Sequence, residues 1–330
     1  MNNRILSLAA GLVAAFAMAG AARAETLIIG HFGSPTPMQI AAAEKKYDEA
    51  MGYDIEWRKF AAGTDVIAAM ASGDVKVAEL GSSPLAIGVS QGVPIQLFML
   101  AQVLGEAESL IARDGSEIET LEDLKGKRVA VPVGSTSHFS LMGALKHAGI
   151  AEGDLTIMNM PPDQIAAAWE QDAIDAAFVW QPVQAKLREN GTLIVGADQT
   201  AAWGYPTFDG WVVNTDFVAE NPEAVAAFVK VTNEANEAYL ADPDAFTPDS
   251  EAVQTIAEVT GADPAQIPEI LKGFTFLPIE EQVKPEWLGG TLATAMQETA
   301  EFLKAAGRID TVADDYAQFV TLTPVEDAMK

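Results

Sequence analysis

The chain runs twice through one pattern, a short apolar strand, a loop of small residues and then a helix. ETLIIGHF, YDIEWRKF and VKVAELG read as strands of a first series, alternating with the helices TPMQIAAAEKKYDEAMG, TDVIAAMASG and PLAIGVSQG before VPIQLFMLAQVL. The pattern breaks from Gly105 to Glu108 and restarts at SLIARD. LEDLKGKRVAVPVGSTSHFSLMGALKHAGI supplies helix, strand, loop and helix, and LTIMNM, DQIAAAWEQ, DAAFVW and GTLIVGAD continue the series to the return strand DGWVVNTDF. Such alternation predicts parallel sheets covered by helices, an α/β fold of two similar lobes. From Asn221 onward the chain reads as helical, apart from turns around Pro248 and Pro278, and this tail, with no sheet of its own, is expected to pack on the first lobe. The expected division is 25–106 for the first part of lobe 1, 107–212 for lobe 2, and 213–330 for the return to lobe 1 with the C-terminal helices.

Ahead of the first strand, MNNR is followed by the apolar run ILSLAAGLVAAFAMAG and by Ala22-Arg23-Ala24. A basic start, a short apolar core and an A-x-A site together predict a secretory signal, residues 1–24, cleaved after Ala24. The run falls short of the ~20 apolar residues that a membrane span needs. Without that segment the chain keeps 18 lysines and arginines against 47 acids, a formal charge of about −29. A charge of that sign repels nucleic acid and anionic membranes, so neither is an expected partner. An anionic ligand would have to be held locally, by dipoles and hydroxyls. There is no cysteine, which removes disulfides, thiolate metal sites and a cysteine nucleophile together.

Ligands of α/β sheets gather at the carboxyl ends of strands. Two such loops carry hydroxyls here. Leu80-Gly81-Ser82-Ser83-Pro84 suits a helix start with Ser83 as N-cap and Pro84 in the first turn, which aims free N–H groups into the loop. Taken alone, an ordinary capped helix explains it as well. Val133-Gly134-Ser135-Thr136-Ser137-His138 occupies the equivalent place in the second series, and two such loops make one anion site shared between lobes plausible. His138 could titrate near neutrality, yet no G-x-S-x-G or H-E-x-x-H motif accompanies it, so ligand contact or a structural role fits better than catalysis. Trp180, at the end of AAFVW, could wall a pocket and stack on an ammonium, or could be a core tryptophan. Asp209 lies among apolar residues, either paired with a cation or on an exposed turn. Glu79 could pair with a cation beneath the serine loop or be solvated.

The segments EWRKFAAGTDVIAAMASGDV, ELGSSPLAIGVSQGVPI, GKRVAVPVGSTSHFSLMGALKHAGI, AAFVWQPV, WGYPTFDGWVV, DPAQIPEILKGFTFL and DDYAQFV, in this order, resemble the periplasmic taurine-binding proteins of ABC importers, within the aliphatic sulfonate-binding family. The resemblance spans essentially the whole chain after the signal. It implies a two-lobed periplasmic binding protein of type II that is not an enzyme, needs no cofactor, is monomeric, and delivers taurine or a related small sulfonate to an inner-membrane ABC permease with its ATPase. It also implies that Ser82, Ser83, Thr136, Ser137 and His138 hold the sulfonate while Trp180 and Asp209 face the amine. Two positions depart from the family pattern: His31-Phe32-Gly33 is less polar, and Glu79 stands where an amide is expected. The alternatives are hypotaurine, a plain alkanesulfonate, nitrate, a carboxylate or a thiamine precursor as ligand, and an enzyme of the thiamine-pyrimidine type on the same lobe plan.

Overall fold

The computed structural model describes residues 25–330, so the expected signal segment, 1–24, lies outside the described residues. The strands form two sheets. One contains β1 (Thr26–His31), β2 (Asp54–Lys59), β3 (Val77–Gly81), β4 (Ile95–Leu104), β10 (Phe208–Asn214) and β11 (Phe274–Thr275), in the order β11-β4-β10-β3-β1-β2. The other contains β5 (Glu108–Arg113), β6 (Arg128–Val131), β7 (Thr156–Asn159), β8 (Ala176–Trp180) and β9 (Gly191–Gly196), in the order β7-β6-β8-β5-β9. The chain is therefore α/β and two-lobed, as its alternation predicts.

The sheets are mixed rather than parallel. In the first, β1 pairs in parallel with β2 and β3, but β10 runs antiparallel between β3 and β4. In the second, β6 pairs in parallel with β7 and β8, and β5 runs antiparallel between β8 and β9. Each inserted strand is the first that the chain makes after crossing between lobes. Central strands must be apolar on both faces, and β3 and β10 are buried along their whole length. Because β10 begins at Phe208 inside the first sheet, the return crossing precedes it, so lobe 2 ends ahead of 208 and not at 212.

Three helices begin where strands end toward the cleft: α1 (Gly63–Ser72), α2 (Ser82–Ser90) and α3 (Thr136–His147). In the tail, α4 (Pro222–Ala241) and α5 (Thr291–Ala305) cover the first lobe. Phe228 of α4 meets Trp211, Phe98 and Tyr47 in an aromatic cluster at centroid distances of 4.8, 5.8 and 5.0 Å. The tail is not wholly without strand: β11 pairs antiparallel with β4 at Leu104 and Val103. The segment 36–52 also differs from the single expected helix, because Lys45 adopts φ 58° and splits it into Met38–Ala43 and Lys46–Met51. A left-handed lysine costs about 1–2 kcal/mol. Burial of Tyr47 and Met51 on the second piece accompanies it. Among the described residues no helix is long and apolar enough to cross a membrane.

Candidate functional site

The helix mouths meet in one narrow slot between the lobes. Gly63, Gly81, Pro84 and Ser34 line it from lobe 1, Ser135 and Thr136 from lobe 2. The first N–H groups of a helix have no intrahelical acceptor and carry partial positive charge, so three helix starts facing one space form an anion-attracting wall. Helix α2 starts two residues earlier than its sequence suggests: Gly81 is the N-cap, and Ser83 lies inside the first turn. Pro84 is then the third helical residue, where its missing N–H still breaks no intrahelical bond. Released from capping, the Ser83 hydroxyl is fully buried without a partner. The Ser82 hydroxyl accepts a long bond from the Phe208 N–H at 3.5 Å. On the other side Ser135 caps α3, its hydroxyl accepting from the His138 N–H at 3.2 Å.

Beside these helix starts is a group of buried acids. Asp209 on β10 and Glu108 on β5 both line the slot, and Glu79 lies directly behind Asp209. Their exposures are 9, 0 and 4 % respectively. The Gln102 amide donates to Asp209 Oδ2 and to Glu79 Oε1, both at 2.9 Å, and the Phe32 N–H donates to Glu79 Oε2 at 3.2 Å. The geometry follows from strand register, since Asp209 pairs with Gln102 on β4 and with Gly81 on β3, two residues beyond Glu79. Glu108 Oε2 accepts from the hydroxyls of Thr136 at 2.5 Å and Ser137 at 2.9 Å, and Ser140 Oγ lies 3.5 Å from Oε1. Among the described residues, no lysine or arginine lines the slot, and none of these three acids joins an ion pair.

Burial without a counter-charge disfavours the ionised form. Burial raises Glu108 to about 7, against the lowering effect of its hydroxyl donors. Asp209 is raised well above the ordinary carboxylate range, first by burial and then by the charges of Glu79 and Glu108. Glu79 is raised by burial, with the Gln102 and Phe32 bonds opposing. Such a group of acids favours a cation that brings its own charge.

Of the seven residues expected from sequence, Thr136, Trp180 and Asp209 line the slot. Trp180 lies beside Phe32 in the lining, their ring centroids 6.3 Å apart. Asp209 is neither ion-paired nor on an exposed turn, and Glu79 pairs with an amide and a backbone N–H rather than with a cation. Thr136 and Ser137 turn their hydroxyls to Glu108. His138 is buried; its Nδ1 accepts from the Gly134 N–H at 3.3 Å, which leaves the proton on Nε2. Burial and then the charge of Arg308 lower it to about 4, so it is neutral at neutral pH. Residues that the sequence reading did not single out are Glu108, Gln102, Ser34, Gly63 and Phe274. An acid opening the apolar run SLIAR, just past the break in pattern, was the available signal for Glu108. The slot is narrow and walled from both lobes, so only a small ligand fits.

Comparison with known proteins agrees with this architecture. The family described as NMT1/THI5 like matches residues 36–246. The taurine-binding periplasmic protein of Escherichia coli strain K12 is 40% identical over 311 residues, covering 94% of this chain and 96% of the relative. Among solved structures, the alkanesulfonate-binding protein SsuA from Xanthomonas axonopodis pv. citri, bound to MOPS, superposes with a TM-score of 0.75 at 21% identity, covering 92% of this chain and 100% of that one. The enzyme DszB, as a cysteine mutant in complex with biphenyl-2-sulfinic acid, superposes with a TM-score of 0.65 at 15% identity, covering 92% and 99%. These structural likenesses establish a shared two-lobed fold that serves both binding proteins and an enzyme. With the family pattern over most of its length and a periplasmic relative matching it nearly end to end, the chain belongs to the NMT1/THI5-like family, in the group of two-lobed periplasmic binding proteins.

Proposed function

We propose that the protein is the solute-binding component of an ABC importer for taurine, working in the periplasm after removal of residues 1–24. One observation carries this reading: a single slot joins a wall of helix N-termini to a set of buried, unpaired acids. Taurine has a permanently ionised sulfonate at one end and an ammonium at the other. The sulfonate, with three acceptor oxygens and one spread charge, suits the first-turn N–H groups of α1, α2 and α3 and the unpartnered Ser83 hydroxyl. The ammonium suits Asp209, with Trp180 over it. The other five residues expected to touch the ligand divide in this reading. Ser82 and Ser83 act at the anion end; Thr136 and Ser137 act through Glu108, and His138 supports the loop around Gly134.

Binding without conversion is favoured over an enzyme of the same fold. The chain has no cysteine, and its neutral His138 is not among the residues lining the slot. A plain alkanesulfonate or nitrate would leave the acids uncompensated, which disfavours both. The 40%-identical relative is itself named as taurine-binding. The partner is an inner-membrane permease with its ATPase, which recognises the closed form of a monomeric receptor; closure follows because the ligand touches both lobes only there.

Calorimetry of the mature protein with taurine, ethanesulfonate and sulfate tests the reading. Taurine is expected to bind at least 10-fold more tightly than ethanesulfonate, with sulfate giving no heat. No heat with taurine, or equal affinity for all three, contradicts it.

A further inference from the structure

Asp209 and Glu108 occupy matching places in the two lobes. Each lies at the start of the strand made just after a crossing: Glu108 is the first residue of β5, and Asp209 the second residue of β10. Each of those strands is the antiparallel insert of its sheet. The two carboxyls thus reach the same slot from opposite lobes. Each is anchored within its own lobe, Asp209 by Gln102 and Glu108 by Thr136 and Ser137.

Like charges that converge as a cleft closes oppose the closure. Two buried carboxylates without a cation between them cannot both stay ionised, so one must take up a proton or the lobes must part. An ammonium placed between them removes the repulsion and adds an attraction to each lobe. The anion wall also draws on both lobes, but its helix starts carry partial charges rather than full ones, so their approach without a ligand is opposed less than that of two carboxylates.

We infer that the ligand's ammonium is what ties the lobes together, held between Asp209 of lobe 1 and Glu108 of lobe 2, so that closure depends on the amine and not on the sulfonate alone. This rests on the taurine reading and extends it. Glu108 becomes the specificity residue contributed by lobe 2, and the three hydroxyls on α3 become its positioning groups. Compounds with a sulfonate and no amine reach the helix starts of both lobes but leave the two carboxyls unbridged, so the open form stays favoured. The selected class is a short zwitterion with a primary ammonium; a bulkier quaternary ammonium cannot donate hydrogen bonds to both carboxylates.

The experiment compares the mature protein with its E108Q, E108D and D209N variants. Affinities for taurine and ethanesulfonate come from calorimetry, and closure from the distance between one spectroscopic label on each lobe. Taurine is expected to shorten the label distance in the unaltered protein, and ethanesulfonate to leave it unchanged. E108Q is expected to weaken taurine roughly 10- to 100-fold, the range for loss of one charged hydrogen bond, while ethanesulfonate binding stays the same or tightens. E108D keeps the charge and is expected to retain the preference for taurine. D209N supplies the same contrast from the other lobe should E108Q fail to fold. Equal losses of taurine and ethanesulfonate in the variants, or closure by ethanesulfonate, overturn this inference and leave the taurine reading standing. Failure of taurine to bind the unaltered protein overturns both.

Discussion

In the proposed site Asp209 and Glu108 are the residues that meet the amine, and they are expected to respond differently to substitution and to pH. Asp209→Asn removes the acid from lobe 1 while keeping an acceptor for Gln102. The expected result is a loss of about 2 kcal/mol in taurine binding and almost none for ethanesulfonate, measured by calorimetry. Glu108, like Asp209 and Glu79, contributes to pH dependence in the ligand-free protein. Its folded value of about 7 lies above the ordinary 4.5, so between those values the folded state holds a proton that the unfolded chain has lost. Stability from this group is complete below about pH 4.5 and declines as pH rises through 7, by roughly 3 kcal/mol. In melts from pH 5 to pH 8, E108Q should therefore gain stability relative to the unaltered protein as pH rises; parallel curves would contradict the assignment. Trp180 was singled out from sequence because it stands at the carboxyl end of β8, and Asp209, near the start of β10, through the family resemblance; both line the slot. Glu108 was not, because its position is set by pairing with β8 and β9, whose residues lie some seventy to ninety positions later.

Helix starts and strand inserts carry the site into place. Gly81 shows how closely the lobes approach: a Cβ there would meet Thr136 Cγ2 of lobe 2 at 2.8 Å and Asp209 Oδ1 at 3.3 Å. Its backbone, at φ −69°, is open to any residue, so only space restricts it. Gly81→Ala is thus expected to leave the melting temperature nearly unchanged and weaken taurine at least several-fold, by calorimetry, because it props the cleft open. Strand β4 depends on a side chain for part of its pairing. Beyond its short pairing with β11, the Leu100 N–H donates to Gln282 Oε1 at 2.7 Å and the Leu100 carbonyl accepts from Gln282 Nε2 at 3.3 Å. Gln282→Ala leaves both backbone groups buried without partners, an expected cost of about 1–3 kcal/mol in chemical denaturation. Local patterning identified most strands and helices, though not the short helices Val183–Arg188 and Ala197–Ala202, and not the strand directions, because an apolar run reads alike whether its neighbours are parallel or antiparallel. The break at Lys45 escaped for a related reason: EKKY contains no glycine or proline to announce a left-handed residue.

Across the whole molecule, the chain crosses twice between the lobes, which touch again along α3. Phe302 of α5 packs edge-on against Phe139 of α3 at 5.1 Å and against Tyr205 at 5.9 Å. Beside it, Arg308 of the tail pairs with Glu152 of lobe 2 at 2.7 Å. The tail therefore packs mainly on the first lobe, as expected, but also reaches across to the second. A half-exposed ion pair contributes about 0–1 kcal/mol, and aromatic pairs about 0.5–1.5 kcal/mol each. Phe302→Ala should consequently weaken every closing ligand about 2- to 10-fold without altering their ranking, whereas substitutions at Asp209 and Glu108 alter the ranking itself. Two lobes with a cleft were legible from the doubled alternation, and so was the convergence of the two serine-containing loops on one slot. The acidic bed was not, since it assembles from β3, β4, β5 and β10, strands distant in sequence and joined only by the crossings. A crystal structure of the mature protein grown with taurine tests the central claim most directly. The account predicts closed lobes, with the ligand nitrogen within hydrogen-bonding distance of both Asp209 and Glu108 and the sulfonate at the starts of α1, α2 and α3. A ligand lying the other way round, or an amine touching neither acid, would contradict it.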